Sequence, residues 1–164
     1  MLGPTTAKVD FSGNQVNALA LGAAALPLFF EARTDFTDGS GAGEAHQIFS
    51  DHRTLAASAS ESLNLNSGSL LDAFGEDIAL TSIKALIIQA DPGNTNNVVV
   101  GAAGSDPIAS ILGTTGTVTL PPGACFAFIA PSGAAITPST AMNLGVANGS
   151  SGTPVSYKII VLGN

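Results

Sequence analysis

The side chains able to do chemistry in this chain are few and scattered. Three carboxylates, Asp35, Asp38 and Glu44, border the glycine-rich segment DFTDGSGAGE and could offer oxygens to a calcium ion. Their spacing fits no EF-hand loop, and Asp-Gly is equally a hairpin-turn signature, so a turn is the favoured reading. Of the two histidines, His46 and His52, the second lies between Asp51 and Arg53. Nucleophilic catalysis needs a nucleophile held against an oriented base, and the serines here belong to turns and strands with no such partner. The run GAAGSDP (101–107) has neither the lysine nor the strand-to-helix setting of a phosphate loop. Cys125 is the single cysteine, which leaves no internal disulfide and no Cys/His metal box. Its apolar neighbours in ACFAFIA predict a small buried thiol. The chain reads as non-enzymatic, with no metal or cofactor.

The remaining charges suit packing or assembly better than catalysis. Asp51, Arg53, Asp72 and Lys84 are able to form ion pairs within or between subunits, and the sequence leaves their pairing open. Lys84 sits in an apolar stretch, where it needs a carboxylate or carbonyl partner or else must snorkel to water. Only 10% of the 164 residues are charged, against roughly 25% in an average soluble domain. Neutral polar residues replace them, which implies that partners cover much of the surface. The net charge of −7 comes from 12 acidic and 5 basic residues. Lys8, Arg33, Arg53, Lys84 and Lys158 form no basic stripe, so nucleic acid is not an expected partner. The apolar run from Ala18 to Phe30 is too short for a spanning helix and contains Gly22 and Pro27. Lys8 is followed by Asp10, unlike the basic start of a leader, so neither a membrane span nor a leader is expected.

Period-two patterning dominates the chain. Residues 1–14 contain one short strand, Lys8 to Phe11, between Gly/Pro and Gly/Asn breakers, and read as an N-terminal arm. Residues 15–164 read as a single domain. Gln15 to Leu21 is a further strand. From Leu28 to Phe36, Leu28, Phe30, Ala32, Thr34 and Phe36 share one face, opposite Phe29, Glu31, Arg33 and Asp35. TDGSGAGE is a turn, Ala45 to Ser50 a strand, and Arg53 to Leu65 one or two half-buried strands with apolar odd positions. SLLDAFG (69–75) predicts one helical turn, capped by Ser69 and ended by Gly75. Asp77 to Ala90 is a long β-branched strand and Val98 to Val100 a buried one. Ile108 to Leu112 is a short strand, and Thr117 to Leu120 and Ala124 to Ala130 flank the PPG turn. Met142 to Ala147 and Val155 to Leu162 form the last pair. Many short strands between Gly/Pro/Asn turns, without a long helix, predict an all-β, jelly-roll-like β-sandwich with one short helical turn.

Several pieces, in this order and spacing, resemble a family of small β-rich virion proteins of tailed bacteriophages. They are TDGSGAGEA (37–45), DHRTLAASASESLNL (51–65), LLDAFGEDIALTSIKALII (70–88), GNTNNVVVG (93–101), LPPGACFAF (120–128) and NLGVANGSSGTPVSYKIIVLG (143–163). The resemblance implies a structural virion protein of the capsid decoration (cement) type. Such a protein would sit as a homotrimer on the outer capsid surface and clamp neighbouring major capsid protein subunits. The positions it carries over are Asp51, Arg53, Asp72, Phe74, Gly75, Lys84, Asn97 and Gly101, as fold-determining or interfacial residues. The N-terminal arm would then add a strand to a neighbour. The alternative is a tail, baseplate or fibre-associated host-adhesion module. The absence of Trp and the single Tyr157 count against a glycan platform of that kind.

Overall fold

The computed structural model describes residues 2–19, 22–101 and 103–164. Two long strands, β1 (Thr5–Leu19) and β2 (Gly22–Asp38), pair antiparallel over their whole length, from Thr5↔Phe36 to Leu19↔Gly22. The dipeptide strand β3 (Glu44–Ala45) joins β2 in parallel and leads into the body. The body comprises β4 (Gln47–Leu55), β5 (Ser60–Asn64), β6 (Ser82–Ala90), β7 (Val98–Gly101), β8 (Thr117–Leu120), β9 (Cys125–Ala135), β10 (Asn143–Asn148) and β11 (Val155–Gly163). One helical turn, α1 (Ala109–Leu112), links β7 to β8.

The eight body strands pair as a nested set. β7 pairs with β8, β6 with β9, β5 with β10 and β4 with β11, all antiparallel. This is one long hairpin, four strands out and four back. Rolling it up brings β11 beside β6 and β10 beside β7, which divides the strands into two sheets, β4-β11-β6-β9 and β5-β10-β7-β8. Two four-stranded sheets wound in this way are a jelly roll, so the protein is an all-β sandwich with one short helix.

Alternation places the core between the sheets. Val155, Tyr157, Ile159 and Val161 of β11 face inward and meet Leu63, Leu65, Leu86, Ile88, Val98 and Val146 in one buried cluster. A smaller second cluster lies on the outer face of the β11-containing sheet. There Ala7 and Phe36, at the base of the β1–β2 hairpin, cover Ala85 and Leu162 beside Ile48 and Ile129. β6 is thus covered on both faces at one end, which accounts for its nearly continuous apolar sequence.

Several elements differ from the sequence expectation. Segment 69–75 is not helical. The Asp72 carboxylate accepts the N–H groups of Phe74 (2.8 Å) and Glu76 (2.9 Å), holding an Asx-type turn that competes with the helix. The helical turn lies instead at Ala109–Leu112, inside the segment expected to be a strand, between Pro107 and Gly113 (φ 79°). The stretch Arg53–Leu65 divides into β4 and β5 around residues 56–59. β6 starts only at Ser82, since Asp77 to Thr81 bond irregularly to Leu70, Gln47 and Asn164. β1 runs unbroken through the Gly13-Asn14 pair that was expected to end the arm. The last two residues of the expected strand Gln15–Leu21, and residue 102 of the GAAGSDP run, lie outside the described residues.

Gly101 shows why certain turns require glycine. Its φ is 111°, and a Cβ there would lie 2.3 Å from the Gly116 carbonyl oxygen. Gly101→Ala is therefore expected to lower unfolding free energy by roughly 2–4 kcal/mol, combining backbone strain and overpacking. Gly93, where nothing lies within 4 Å of the place a Cβ would take, should accept alanine within about 0.5 kcal/mol. Urea denaturation of the two variants checks the contrast.

Candidate assembly surface

The residues singled out in the sequence occupy separate places in the fold. Asp51 and Arg53 do come together: Arg53 Nη1 donates to Asp51 Oδ2 at 2.7 Å. The dominant partner of Arg53 was not anticipated. Its Nε and Nη2 reach Glu61 Oε2 at 2.8 and 2.6 Å, and the Tyr157 hydroxyl donates to Glu61 Oε1 at 2.7 Å. Glu61 lies on β5 and both its donors lie on the opposite sheet, where Arg53 and Tyr157 are cross-strand neighbours. One carboxylate thus ties the two sheets together at their shared edge. A signal was present in the sequence, because Arg53 and Glu61 occupy the odd, apolar phase of the Arg53–Leu65 alternation.

The electrostatics follow from this geometry. Tyr157 is completely buried. Burial, then the hydrogen bond to Glu61 and its negative charge, push the phenol pKa well above its ordinary 10, and Arg53 offsets only part of this. The Glu61 hydrogen bond likewise raises Arg53, against the penalty of its own partial burial.

Lys84 is 2% exposed and does not snorkel. It lies at an irregularity of β6 between Ile83 and Ala85, without a register partner on either neighbouring strand. Its ammonium donates to the carbonyl oxygens of Gly41 (3.0 Å) and Pro131 (3.4 Å), pinning the glycine-rich loop to β9. Asp72 holds its own turn, Gly75 closes it with φ 87°, and Phe74 is left 92% exposed. Phe74 borders a groove of about 480 Å³ with Leu2, His46, Ile48 and Asp72. Asn97 is exposed and contributes its backbone carbonyl to Gly149 N–H, while Asn94 and Asn96 make the side-chain ties of that loop. Gly101 ends β7.

The other candidate chemistry is dispersed. Asp35 pairs with Arg33 and Thr6, which hold its pKa below the usual range. Asp38 accepts from Leu2 N–H and faces His46, and its pKa is lowered too, chiefly by the backbone bond. Glu44 accepts from Gly41 N–H within the turn. His52 faces Asp91 at 2.8 Å on the surface. No group of three or more His, Cys, Asp or Glu suited to a metal occurs among the described residues. Cys125 is exposed rather than buried. It begins edge strand β9, whose alternate residues face outward, so apolar neighbours in sequence do not enclose it.

The most unusual surface is the β1–β2 hairpin. Fifteen paired rows at about 3.4 Å per residue make a ribbon about 50 Å long. Ala7 and Phe36 bury its base against the body, and beyond Lys8 and Arg33 the described side chains lie in water. Pairing puts Val9, Phe11, Leu26, Leu28 and Phe30 on one face, all exposed, with Phe11 directly opposite Phe30. This face continues outward from the second core cluster. Near the base, the opposite face carries Lys8, Asp10, Glu31, Arg33 and Asp35, which satisfy one another through Lys8–Asp10, Lys8–Glu31 and Arg33–Asp35 pairs. Residues 11–30 carry no charge at all.

The arm is therefore two-stranded. Residues 5–14 pair with β2 of their own chain, so they are not a free strand waiting for a neighbour. A lone two-stranded ribbon is marginal in water. One with an apolar face exposed has the character of an assembly element.

Scans against protein families, curated protein sequences and solved structures each return no match.

Two outcomes test the inter-sheet tie. Glu61→Ala is expected to cost roughly 2–3 kcal/mol, because it leaves the half-buried Arg53 with Asp51 alone and the buried Tyr157 hydroxyl without its acceptor, and Tyr157→Phe about 1 kcal/mol. Replacing Arg53 and Glu61 together by Met and Leu should recover most of the Glu61→Ala loss in a denaturant titration. Tyr157, the sole tyrosine in a chain without tryptophan, also gives a clean ultraviolet signal. Its folded pKa is raised, so its contribution to stability is intact below pH 10 and falls as pH rises above 10. Absorbance near 295 nm at pH 11 should show little tyrosinate in the native chain and mostly tyrosinate in urea. Equal ionisation in both would contradict the buried, Glu61-bonded phenol.

Proposed function

We propose that this chain is a non-enzymatic structural protein of a tailed-phage virion, a decoration protein on the outer head surface. In this reading it binds major capsid protein as a homotrimer and stabilises contacts between capsid subunits. The observation that carries the reading is the long hairpin with an uncharged outer half and an exposed apolar face, a surface built to be covered by protein. The charge-poor composition and the sequence resemblance point the same way. The net charge of −7 suits a position outside the shell, away from packaged DNA. Affinity would arise from many copies sharing repeated, largely neutral contacts rather than from one strong site.

The test is to count and locate the protein. Virions of the phage that encodes it are separated into heads and tails, and copies are quantified against major capsid protein by mass spectrometry and immunogold labelling. Copies in the hundreds, confined to heads in a fixed ratio to capsid subunits, are the expected result. A few copies at the tail would favour the adhesion module, and absence from purified virions would end the virion reading.

A further inference from the structure

We infer that the apolar face of the β1–β2 hairpin is a self-association surface, covered by a second copy of this same chain. The inference deepens the assembly reading above, on which it rests, by naming the partner of the arm.

Area is the first argument. The chain exposes 8629 Å², whereas a compact monomer of 16.2 kDa is expected to expose about 7,450 Å². The excess, on the order of 1,200 Å², is the signature of a ribbon standing away from the body. Five large side chains of the apolar face, Val9, Phe11, Leu26, Leu28 and Phe30, are exposed by 38–58%. At roughly 150–250 Å² for a whole large side chain they leave on the order of 500 Å² of apolar surface in water. A standard stable interface takes about 800 Å² from each partner. The exposed small residues of the same face, Ala24 and Ala32 among them, add to that area when two such arms meet.

Charge is the second argument. Surfaces that recognise a different, charged partner carry unpaired complementary charge. Here the ionic groups at the hairpin base already pair with one another, and residues 11–30 have none. A copy of the same chain carries net charge −7, so self-association would ordinarily bring like charges together. This ribbon is where that cost is least. Continuity selects the face: the side that buries Phe36 and Ala7 on the body continues through Val9, Phe11, Phe30, Leu28 and Leu26. Packing that face on its equivalent, at the roughly 10 Å spacing of stacked sheets, extends a core the chain has already begun.

The experiment uses the purified full chain with no capsid present, in size-exclusion chromatography with light scattering and in analytical ultracentrifugation. The expected mass at about 50 µM is two or three times 16.2 kDa. Phe11→Ser combined with Phe30→Ser should weaken association by at least ~30-fold. Circular dichroism should remain native in that variant, since both residues lie outside the two core clusters. Phe29→Ser, on the opposite face, should keep the oligomer. A monomeric wild type at about 100 µM overturns the inference, as does an oligomer indifferent to the Phe11/Phe30 change. A monomer that floats with phosphatidylcholine vesicles overturns it in favour of a lipid occupant. The two readings fail separately. An oligomer that never binds heads sinks the decoration role alone, and a head-bound chain that is monomeric in solution sinks the self-association alone.

Discussion

Everything in this fold depends on the placement of β11 between β4 and β6. The strand takes backbone hydrogen bonds from both neighbours, and its inward side chains Val155, Tyr157, Ile159 and Val161 fill the middle of the sandwich. Its outward Leu162 is the seat on which the hairpin base rests. The strand thereby joins the two hydrophobic clusters. Its tyrosine reaches Glu61 on the other sheet, so it also anchors the Arg53–Glu61 tie between the layers. On its outward side Lys158 and Ile160 stay exposed and only Leu162 is covered, while the one polar side-chain atom it sends inward, the Tyr157 hydroxyl, has a charged acceptor waiting.

The body and the arm obey opposite rules. In the body, polar side chains that enter the core are satisfied: Lys84 by two carbonyls, Asn148 by Ala56 and Thr153, Asn143 by Ser105. Among the described residues no buried side-chain nitrogen or oxygen lacks a partner. In the arm, large apolar groups stand in water with nothing of their own chain above them. A chain that closes its core so completely gains nothing, as a monomer, from leaving Phe11 and Phe30 outside. The proposed self-association of the arm would supply a reason.

Much of this was legible in the sequence, for definable reasons. Strands β7, β8 and β11 were readable because each combines β-branched residues with turn residues at both ends. The two faces of 28–36 were readable because charges occupy one of them. The ribbon's length was not, since Ser12, Asn14, Gln15 and Asn17 break the alternation, and Gly13-Asn14 has turn chemistry that pairing with β2 overrides. The turn at 69–75 was misread as helical because capping rules do not reveal which side chain reaches the N–H groups first. Glu61 was missed because a carboxylate in an apolar phase acquires meaning only when a donor is known to lie across the sandwich. Three-dimensional neighbours, not local propensity, decide each of these cases.

The nested pairing also sets an order of events for a chain emerging from the ribosome. The innermost pair, β7 with β8, closes across residues 102–116, the shortest span of the four nested pairs. β4 must wait for β11, a hundred or more positions later in the sequence. Closure entropy therefore favours zipping from the inside outward, with the outermost strands joining last. The residues of the β1–β2 ribbon emerge first and pair only with one another, so the ribbon stays marginal until a partner surface or the body it rests on is available. Neighbouring nascent chains on one message would then present these ribbons to each other early. If the arm self-associates as proposed, contact between copies would have an opportunity to precede the folding of the domain.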